Sequence, residues 1–197
     1  MGAFTLILDC QDPGYKDLEL RQLEAMAAQG FSAPARLVAD SSVLFAFPKL
    51  VSPTANVRTF ADNEFVAVFG TFYYRGKTGA LGLDAIYEDF ENPAADSVPV
   101  SCERVSRHMR GTYACVIYKG SHLYLFTDRL GLYKVYLAEE GRIVTSSLLT
   151  AVACTDQPRL YSQGVFEYVF QGATYGGETP VSGIRLLDPD IQLIISE

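Results

Sequence analysis

Apolar residues along this chain fall mostly into short runs and alternating segments, the pattern that predicts β-strands. Residues 3–9 form an apolar run without alternation, which predicts a strand buried on both faces. Residues 65–74 predict one long strand, or two strands that meet at Gly70. Downstream, segments rich in β-branched and aromatic residues alternate with turns and predict a meander over 113–118, 123–127, 133–137 and 142–145.

Helical periodicity is confined to a few segments. Residues 16–29 predict an amphipathic helix that Gly30 ends, with an apolar stripe of Leu20, Leu23, Met26 and Ala27. Further helices are predicted over 83–90, 102–109, 165–172 and 148–153, the last after the candidate N-cap residues Ser146 and Ser147. Two hairpins complete the pattern, one from 36–39 and 43–47 and the other from 184–187 and 191–195.

Composition narrows the class of protein. A chain of 197 residues can form one domain with a sizeable core, so we expect a single domain over 1–197. The 49% hydrophobic and 20% charged content indicates a two-layered sheet core or a face that a partner covers.

A net charge of −7 argues against nucleic acid and anionic membranes as partners. With no apolar run near the ~20 residues that span a bilayer and no signal-peptide pattern, we expect a cytoplasmic protein.

The cysteines and histidines do not form a metal-binding pattern. Cys10, Cys102, Cys115 and Cys154 include no C-x-x-C pair, and the two histidines lie at no metal-ligand spacing. We therefore expect buried, reduced thiols and no metal or other cofactor.

Several short motifs resemble one family of domains. Residues 128–131 (Asp-Arg-Leu-Gly) with 133–136 (Tyr-Lys-Val-Tyr) resemble the "D-R-x-G-x-x-P-L-Y-Y" element of class II glutamine amidotransferase domains of the asparagine synthetase type. Residues 110–114 are similar to that family's "L-x-G-x-F-A" strand, 145–148 to its "F-A-S-E-x-K" junction, and 168–189 to its "T-x-F-x-G-I-x-x-L-x-P-G" ending. The order of elements agrees over most of the chain, most closely from residue 105 onward.

The resemblance implies a fold. It is an α+β, Ntn-hydrolase-like fold: a four-layer αββα sandwich of two mainly antiparallel sheets flanked by helices. The strands in two groups, with helices before and after them, suit this architecture. Asp128 and Arg129 are interpreted as a structural turn pair, because aspartate accepts backbone hydrogen bonds at turns.

The nucleophile that the resemblance implies is missing. That family uses a cysteine directly after the initiator methionine, whose thiol is the nucleophile and whose α-amine is the base. Here Gly2 stands at that position, and no Ser, Thr or Cys precedes Thr5. Cys10 lies near the end of the first predicted strand and has no α-amine of its own. We therefore assign no catalytic residue.

The glutamine-binding positions are altered as well. By the resemblance, Phe69 replaces an Asn that stabilises the oxyanion, and the neighbouring Gly70 is kept. Gly79 replaces an Asp that holds the glutamine α-amine, and Lys49 aligns with the Arg that binds the α-carboxylate. These positions are the degenerate remains of a glutamine pocket, so the sequence predicts no glutamine hydrolysis.

Three functions follow from this sequence. The first is a degenerate amidotransferase-like domain that serves as a scaffold or docking domain for an ATP-dependent, amide-forming synthetase domain or protein. The synthetase's "S-G-G-x-D-S" loop does not occur in these residues, and β-lactam synthetases offer an analogy for a domain without the nucleophile. The alternative is a module that binds a small ligand or peptide in the vacated pocket, and the third is an active glutaminase domain. Whether the chain forms a homo-oligomer is left open.

Overall fold

The computed structural model describes residues 2–48, 56–90, 98–189 and 191–196, which form two antiparallel sheets and the helices around them. The α-helices of the described residues are α1 (Tyr15–Ala28), α2 (Gly79–Asp89), α3 (Val98–His108), α4 (Leu148–Cys154) and α5 (Ser162–Gln171). The strands are β1 (Ala3–Ile7), β2 (Ala35–Ala39), β3 (Ser42–Phe47), β4 (Val57–Thr59), β5 (Phe65–Tyr74), β6 (Met109–Lys119), β7 (His122–Thr127), β8 (Tyr136–Ala138), β9 (Ile143–Thr145), β10 (Arg185–Leu186) and β11 (Leu193–Ser196). None of the helices in these ranges is both long and apolar enough to span a bilayer.

The strands are divided between two sheets. The first sheet has the order β10-β8-β9-β1-β3-β2, and the second has the order β11-β7-β6-β5-β4. Every residue of β1 is buried, because it lies between β3 and β9 and both of its faces are covered. This confirms the prediction of a fully buried first strand and explains its lack of alternation.

Three apolar clusters define four layers. Phe4 and Leu6 of β1 contribute to the cluster between the two sheets, together with Phe69 and Val116 of the second sheet. The cluster that contains Met26 packs α1 and α4 on the outer face of the first sheet. A third cluster packs α2 and α3 on the outer face of the second sheet. The layer order is helices, sheet, sheet, helices, which confirms the predicted αββα sandwich.

The helices agree with the sequence predictions at the start of α4 and differ from them on the buried face of α1. Ser147 is the N-cap of α4, and its hydroxyl oxygen accepts a hydrogen bond from the Thr150 amide at 3.2 Å, as predicted. In α1 the predicted stripe is half right: Met26 is buried and Leu23 packs against the same cluster, whereas Leu20 and Ala27 are exposed. The buried face of α1 includes the polar Gln22, a residue that a hydropathy pattern does not assign to a core.

The predicted terminal hairpin is also wrong. The two segments lie in different sheets: β10 pairs with β8, and β11 pairs with β7. Between them, the Leu187 amide donates to the Val135 carbonyl at 2.8 Å, and Pro189, which has no N–H, cannot continue a ladder. The strand predicted over 133–137 begins only at Tyr136, because the Tyr133 amide bonds to a side chain, that of Asp128. The short strand β4 was not predicted, since Val57 is its only apolar residue.

Candidate functional site

Gly2 lies at the start of the central strand of the first sheet. It is buried, and it directly precedes β1. The fold therefore holds position 2 in a defined place, as the resemblance implies for a nucleophile. Since glycine has no side chain, this position supplies neither a thiol nor a hydroxyl.

A tyrosine hydroxyl is bonded to the backbone at this position. The Tyr133 hydroxyl donates to the Gly2 carbonyl at 2.7 Å. Burial raises the pKa of Tyr133, so its hydroxyl stays protonated and acts as the donor at neutral pH. Next to it, the Phe4 amide donates to the Ser146 hydroxyl oxygen at 2.9 Å. The hydroxyl groups of Tyr133 and Ser146 are therefore both hydrogen-bonded to backbone atoms at the start of the first strand.

Tyr133 is itself positioned by a buried turn. The Asp128 carboxylate accepts hydrogen bonds from the amides of Tyr113 (3.3 Å), Leu130 (3.2 Å), Leu132 (3.0 Å) and Tyr133 (2.9 Å). Asp128 is 4% exposed. This agrees with its interpretation as a structural turn residue. Sequence reasoning did not assign Tyr133 to the site, and the motif that precedes it offered no signal that its hydroxyl would reach Gly2.

Phe69 is part of the core between the sheets. Its ring stacks on that of Phe4 with centroids 4.8 Å apart, and it is fully buried. A phenyl ring has no hydrogen to donate to an oxyanion, so this residue cannot stabilise one. The side chain at position 69 is thus apolar and packed within the core.

Gly70 packs against Tyr133. Its φ is +97°, and a Cβ atom there would lie 2.1 Å from the Thr112 carbonyl oxygen and 3.0 Å from Cδ2 of Tyr133. The structure therefore places Gly70 near Gly2, with Tyr133 between them. The space beside Gly70 is filled by protein atoms.

The two remaining predicted positions are not joined to Gly2 by any described contact. Gly79 is the first residue of α2, which packs on the outer face of the second sheet, and it is buried with a φ of +59°. Lys49 lies outside the described residues. Of the predicted set, Gly70 is linked to Gly2 through Tyr133, and Phe69 packs against Phe4 of the strand that Gly2 precedes.

Other side chains with nucleophilic atoms either form hydrogen bonds within the sheet or lie far from Gly2. The Thr5 hydroxyl is buried and lies 3.1 Å from that of Thr145, which donates to the Phe4 carbonyl at 2.9 Å. Cys10 lies beyond the opposite end of β1, a strand that spans about 15 Å. In the described ranges, no group of three or more His, Cys, Asp and Glu residues could hold a metal ion.

A cavity of about 530 Å³ opens beside Gly2. Its lining includes the polar side chains of Gln29, Lys134, Ser146 and Ser147 and the rings of Tyr133 and Tyr136. Ser147 donates to the Gln29 side chain at 2.8 Å, so two of these groups are already paired within the protein. Phe69, Gly70 and Gly79 do not line this cavity. The volume is in the range of small-molecule sites, but its lining is not the predicted glutamine pocket.

Alkylation tests the assignment of the cysteines. We expect iodoacetamide at pH 8 to modify Cys10 alone in the native protein and all four thiols in denaturant. Burial raises the pKa of Cys102 and of Cys154 to about 12. A thiol with such a pKa is ionised at a fraction of about 10⁻⁴ at pH 8. Peptide mass spectrometry measures the result, with Cys10→Ser as the control that should abolish native labelling. Labelling of Cys102 or Cys154 at the rate of Cys10 would contradict the buried environment.

Comparison with known proteins supports the fold. No family model matches this chain, and no curated protein matches it significantly. Among solved structures, it is similar to the glutamine phosphoribosylpyrophosphate amidotransferase of B. subtilis, complexed with ADP and GMP, with a TM-score of 0.58 and 10% identity. A structure described as the allosteric regulatory enzyme of purine biosynthesis has a TM-score of 0.58 and 12% identity.

These similarities cover the whole of this chain and 47% of each of the two others. The fold of this chain resembles that of glutamine amidotransferase domains. The chain spans about half the length of the structures that it matches. At these identities the comparison shows the fold, and the chemistry has to be argued from the residues.

Proposed function

We propose that this chain is a degenerate amidotransferase-like domain that does not hydrolyse glutamine. The observation that carries the proposal is Gly2, which lies buried at the start of β1 without a side chain. An Ntn-type mechanism requires one residue to provide both the nucleophile and the amine base. The carbonyl of Gly2 is bonded to Tyr133, and the nearby Thr5 is bonded within the sheet.

Phe69 supports the same proposal independently. The resemblance assigns an oxyanion-stabilising Asn to its position, and the loss of one such donor typically costs about 10²–10³ in kcat. The ring of Phe69 is stacked on Phe4 in the core between the sheets. Restoration of a polar group there would require that core to repack. A degenerate site therefore explains Gly2 and Phe69 together.

As its role, we propose a scaffold or docking domain for an ATP-dependent synthetase domain or protein in the cytoplasm. Such a synthetase would adenylate a carboxylate and condense it with an amine that does not come from glutamine. The support is threefold: the fold, the asparagine synthetase-like motifs at 128–136 and 168–189, and a hydrophobic content of 49%. The amidotransferases that share the fold are about twice as long as this chain.

Glutaminase assays test the proposal. We expect no glutamate release from saturating glutamine, either by this protein or by its Gly2→Cys variant. Loss of the nucleophile in a hydrolase costs about 10⁶ in kcat. The variant regains a thiol but still has a phenyl ring at position 69 and no carboxylate at position 79.

The assay needs two controls. An active class II amidotransferase shows that glutamate would be detected, and circular dichroism shows that Gly2→Cys keeps the fold. Release by the unaltered chain would contradict the proposal. Release by Gly2→Cys alone would show that the remaining glutamine-binding groups are intact and would contradict the loss of the pocket.

The alternative of a binding module in the vacated pocket stays a prediction. Phe69 is fully buried and lines no part of the cavity beside Gly2. Since no observation favours a ligand at Phe69 and Gly79, we prefer the scaffold.

A further inference from the structure

A second cavity lies between α4 and α5 on the outer face of the first sheet. Its volume is about 340 Å³, and its lining includes Lys134, Tyr136 of β8, Leu148 of α4, Tyr168 of α5 and Thr179. We call it the α4–α5 groove. Tyr136 and Leu148 also pack against the cluster that joins α1 and α4 to this sheet. The groove therefore lies outside the core between the two sheets.

Close backbone packing fixes the α5 wall of the groove. A Cβ atom on Gly164 would lie 2.5 Å from the Thr179 carbonyl oxygen, so only glycine lets the helix approach this loop so closely. The Tyr161 amide donates to the Pro180 carbonyl at 2.9 Å. Tyr168 follows Gly164 by one helical turn and lies on the same side of α5, towards the groove. The place of Tyr168 is therefore determined by the fold.

Lys134 is the one charged residue that lines the groove in the part of the chain that the structure describes. It is exposed, and its ammonium group forms no salt bridge or hydrogen bond with any described residue. Glu178, which precedes Thr179, lies 3.7 Å from the Arg185 guanidinium and pairs with that group instead. A cleft that carries charge of one sign attracts ligands of the opposite sign. The groove therefore favours an anion, although the whole chain carries −7.

Two tyrosine hydroxyls add hydrogen-bond donors beside this charge. Neither the Tyr136 nor the Tyr168 hydroxyl has a hydrogen-bond partner among the described residues. Burial, with a smaller contribution from the nearby Tyr168, raises the pKa of Tyr136, so its hydroxyl stays protonated at neutral pH. The Thr179 hydroxyl, by contrast, donates to the Ile184 carbonyl at 2.8 Å. The two phenols thus remain available to a carboxylate, which accepts such bonds.

The walls of the groove suit a ring. The rings of Tyr136 and Tyr168 and the half-buried Leu148 present apolar surfaces on which an aromatic group can pack. Small-molecule sites typically have volumes of about 300–1,000 Å³, and the groove lies at the lower end of this range. It shares Lys134, Tyr136 and Leu148 with the cavity beside Gly2, so the two cavities adjoin at the lysine.

We propose that the α4–α5 groove binds a small aromatic carboxylate, with the carboxylate group at Lys134 and the ring between Leu148 and Tyr168. The ammonium group and the phenols then gain the partner that the protein does not supply, and the ring is removed from water. No described carboxylate in the lining could pair with an α-amine, so free amino acids are disfavoured. The inference does not rest on the proposed loss of glutaminase activity, because the groove does not include Phe69 or Gly79.

Calorimetric titration of the full chain with para-benzoylbenzoate, an aromatic monocarboxylate, tests the proposal. We expect a Kd below about 1 mM and binding of the neutral para-benzoylbenzamide that is about 10-fold weaker. Lys134→Met keeps the length of the side chain, removes its charge and should raise the Kd for the carboxylate about 10-fold. Tyr168→Phe should raise it about 3-fold through loss of one donor. Lys16→Met is the matched control, since Lys16 is exposed on α1 and lines neither cavity; its Kd should not change.

Photocrosslinking locates the bound probe. The benzophenone group of para-benzoylbenzoate inserts into nearby C–H bonds under ultraviolet light, and peptide mass spectrometry should find it on the segments that contain Leu148 and Tyr168. Circular dichroism should show the variants folded; if Lys134→Met does not fold, the carboxylate and the amide are still compared on the unaltered chain. No binding below about 1 mM, equal affinity for the amide, a Kd that a folded Lys134→Met leaves unchanged, or crosslinks confined to other segments would overturn the proposal.

Discussion

Asp128→Ala is expected to lower the free energy of unfolding by about 4 kcal/mol, among the largest effects of a single substitution in this chain. The carboxylate accepts four backbone hydrogen bonds and is almost fully buried. Leu130 and Leu132 are exposed, so water can replace the bond to their amides. Tyr113 and Tyr133 are buried, and each of their amides would lose a charge-assisted bond worth about 1.5–3 kcal/mol.

Urea unfolding with linear extrapolation measures this loss. Arg129→Ala is the control: it alters the adjacent turn residue, which is exposed, and should cost less than about 0.5 kcal/mol. Asp128→Asn keeps one acceptor oxygen and should fall between the two. If Asp128→Ala cost no more than Arg129→Ala, the turn would not hold Tyr133 against Gly2 as the structure indicates.

Gly70→Ala is expected to destabilise the protein by about 3 kcal/mol or more, or to prevent folding. At φ +97° an L-residue is strained, and the new Cβ atom would lie 2.1 Å from the Thr112 carbonyl oxygen. The opposite strand shows the reciprocal contact: a Cβ atom on Gly111 would lie 2.1 Å from the Thr71 carbonyl oxygen. Strands β5 and β6 can approach this closely only because both residues are glycine.

Gly76→Ala separates the cost of backbone strain from the cost of a steric clash. Gly76 also has a positive φ, +77°, but a Cβ atom there would have no neighbour within 4 Å. Its substitution should cost only the conformational penalty of about 1–2 kcal/mol. Urea unfolding of the two variants measures the difference, and soluble yield reports on Gly70→Ala if it does not fold. Equal stabilities would show that the strands can separate to accept the methyl group.

The Gly70→Ala and Gly76→Ala variants also test the role of Gly70. The resemblance keeps this glycine as part of a glutamine-handling motif, whereas the structure gives it a packing role beside Tyr133. A glycine that both strands require would be kept whether or not the domain is catalytic. The retained Gly70 is therefore compatible with a degenerate site.

The local features of this fold could be predicted from the sequence because short-range forces determine them. The apolar run at β1, the hairpin of β2 and β3, the Ser147 cap and the turn at Asp128 each depend on residues a few positions apart. The order of motifs added the αββα architecture. The absence of a side chain at position 2 is a fact of the sequence alone.

Only the tertiary structure decided which surfaces meet. Residues 131 positions apart join where the Tyr133 hydroxyl bonds to Gly2. No local pattern showed that β10 and β11 enter different sheets, that Gln22 is buried, or that the apolar side of α5 stays exposed. The physical reason is that periodicity specifies that a face is apolar, whereas the packing of distant elements specifies what covers it.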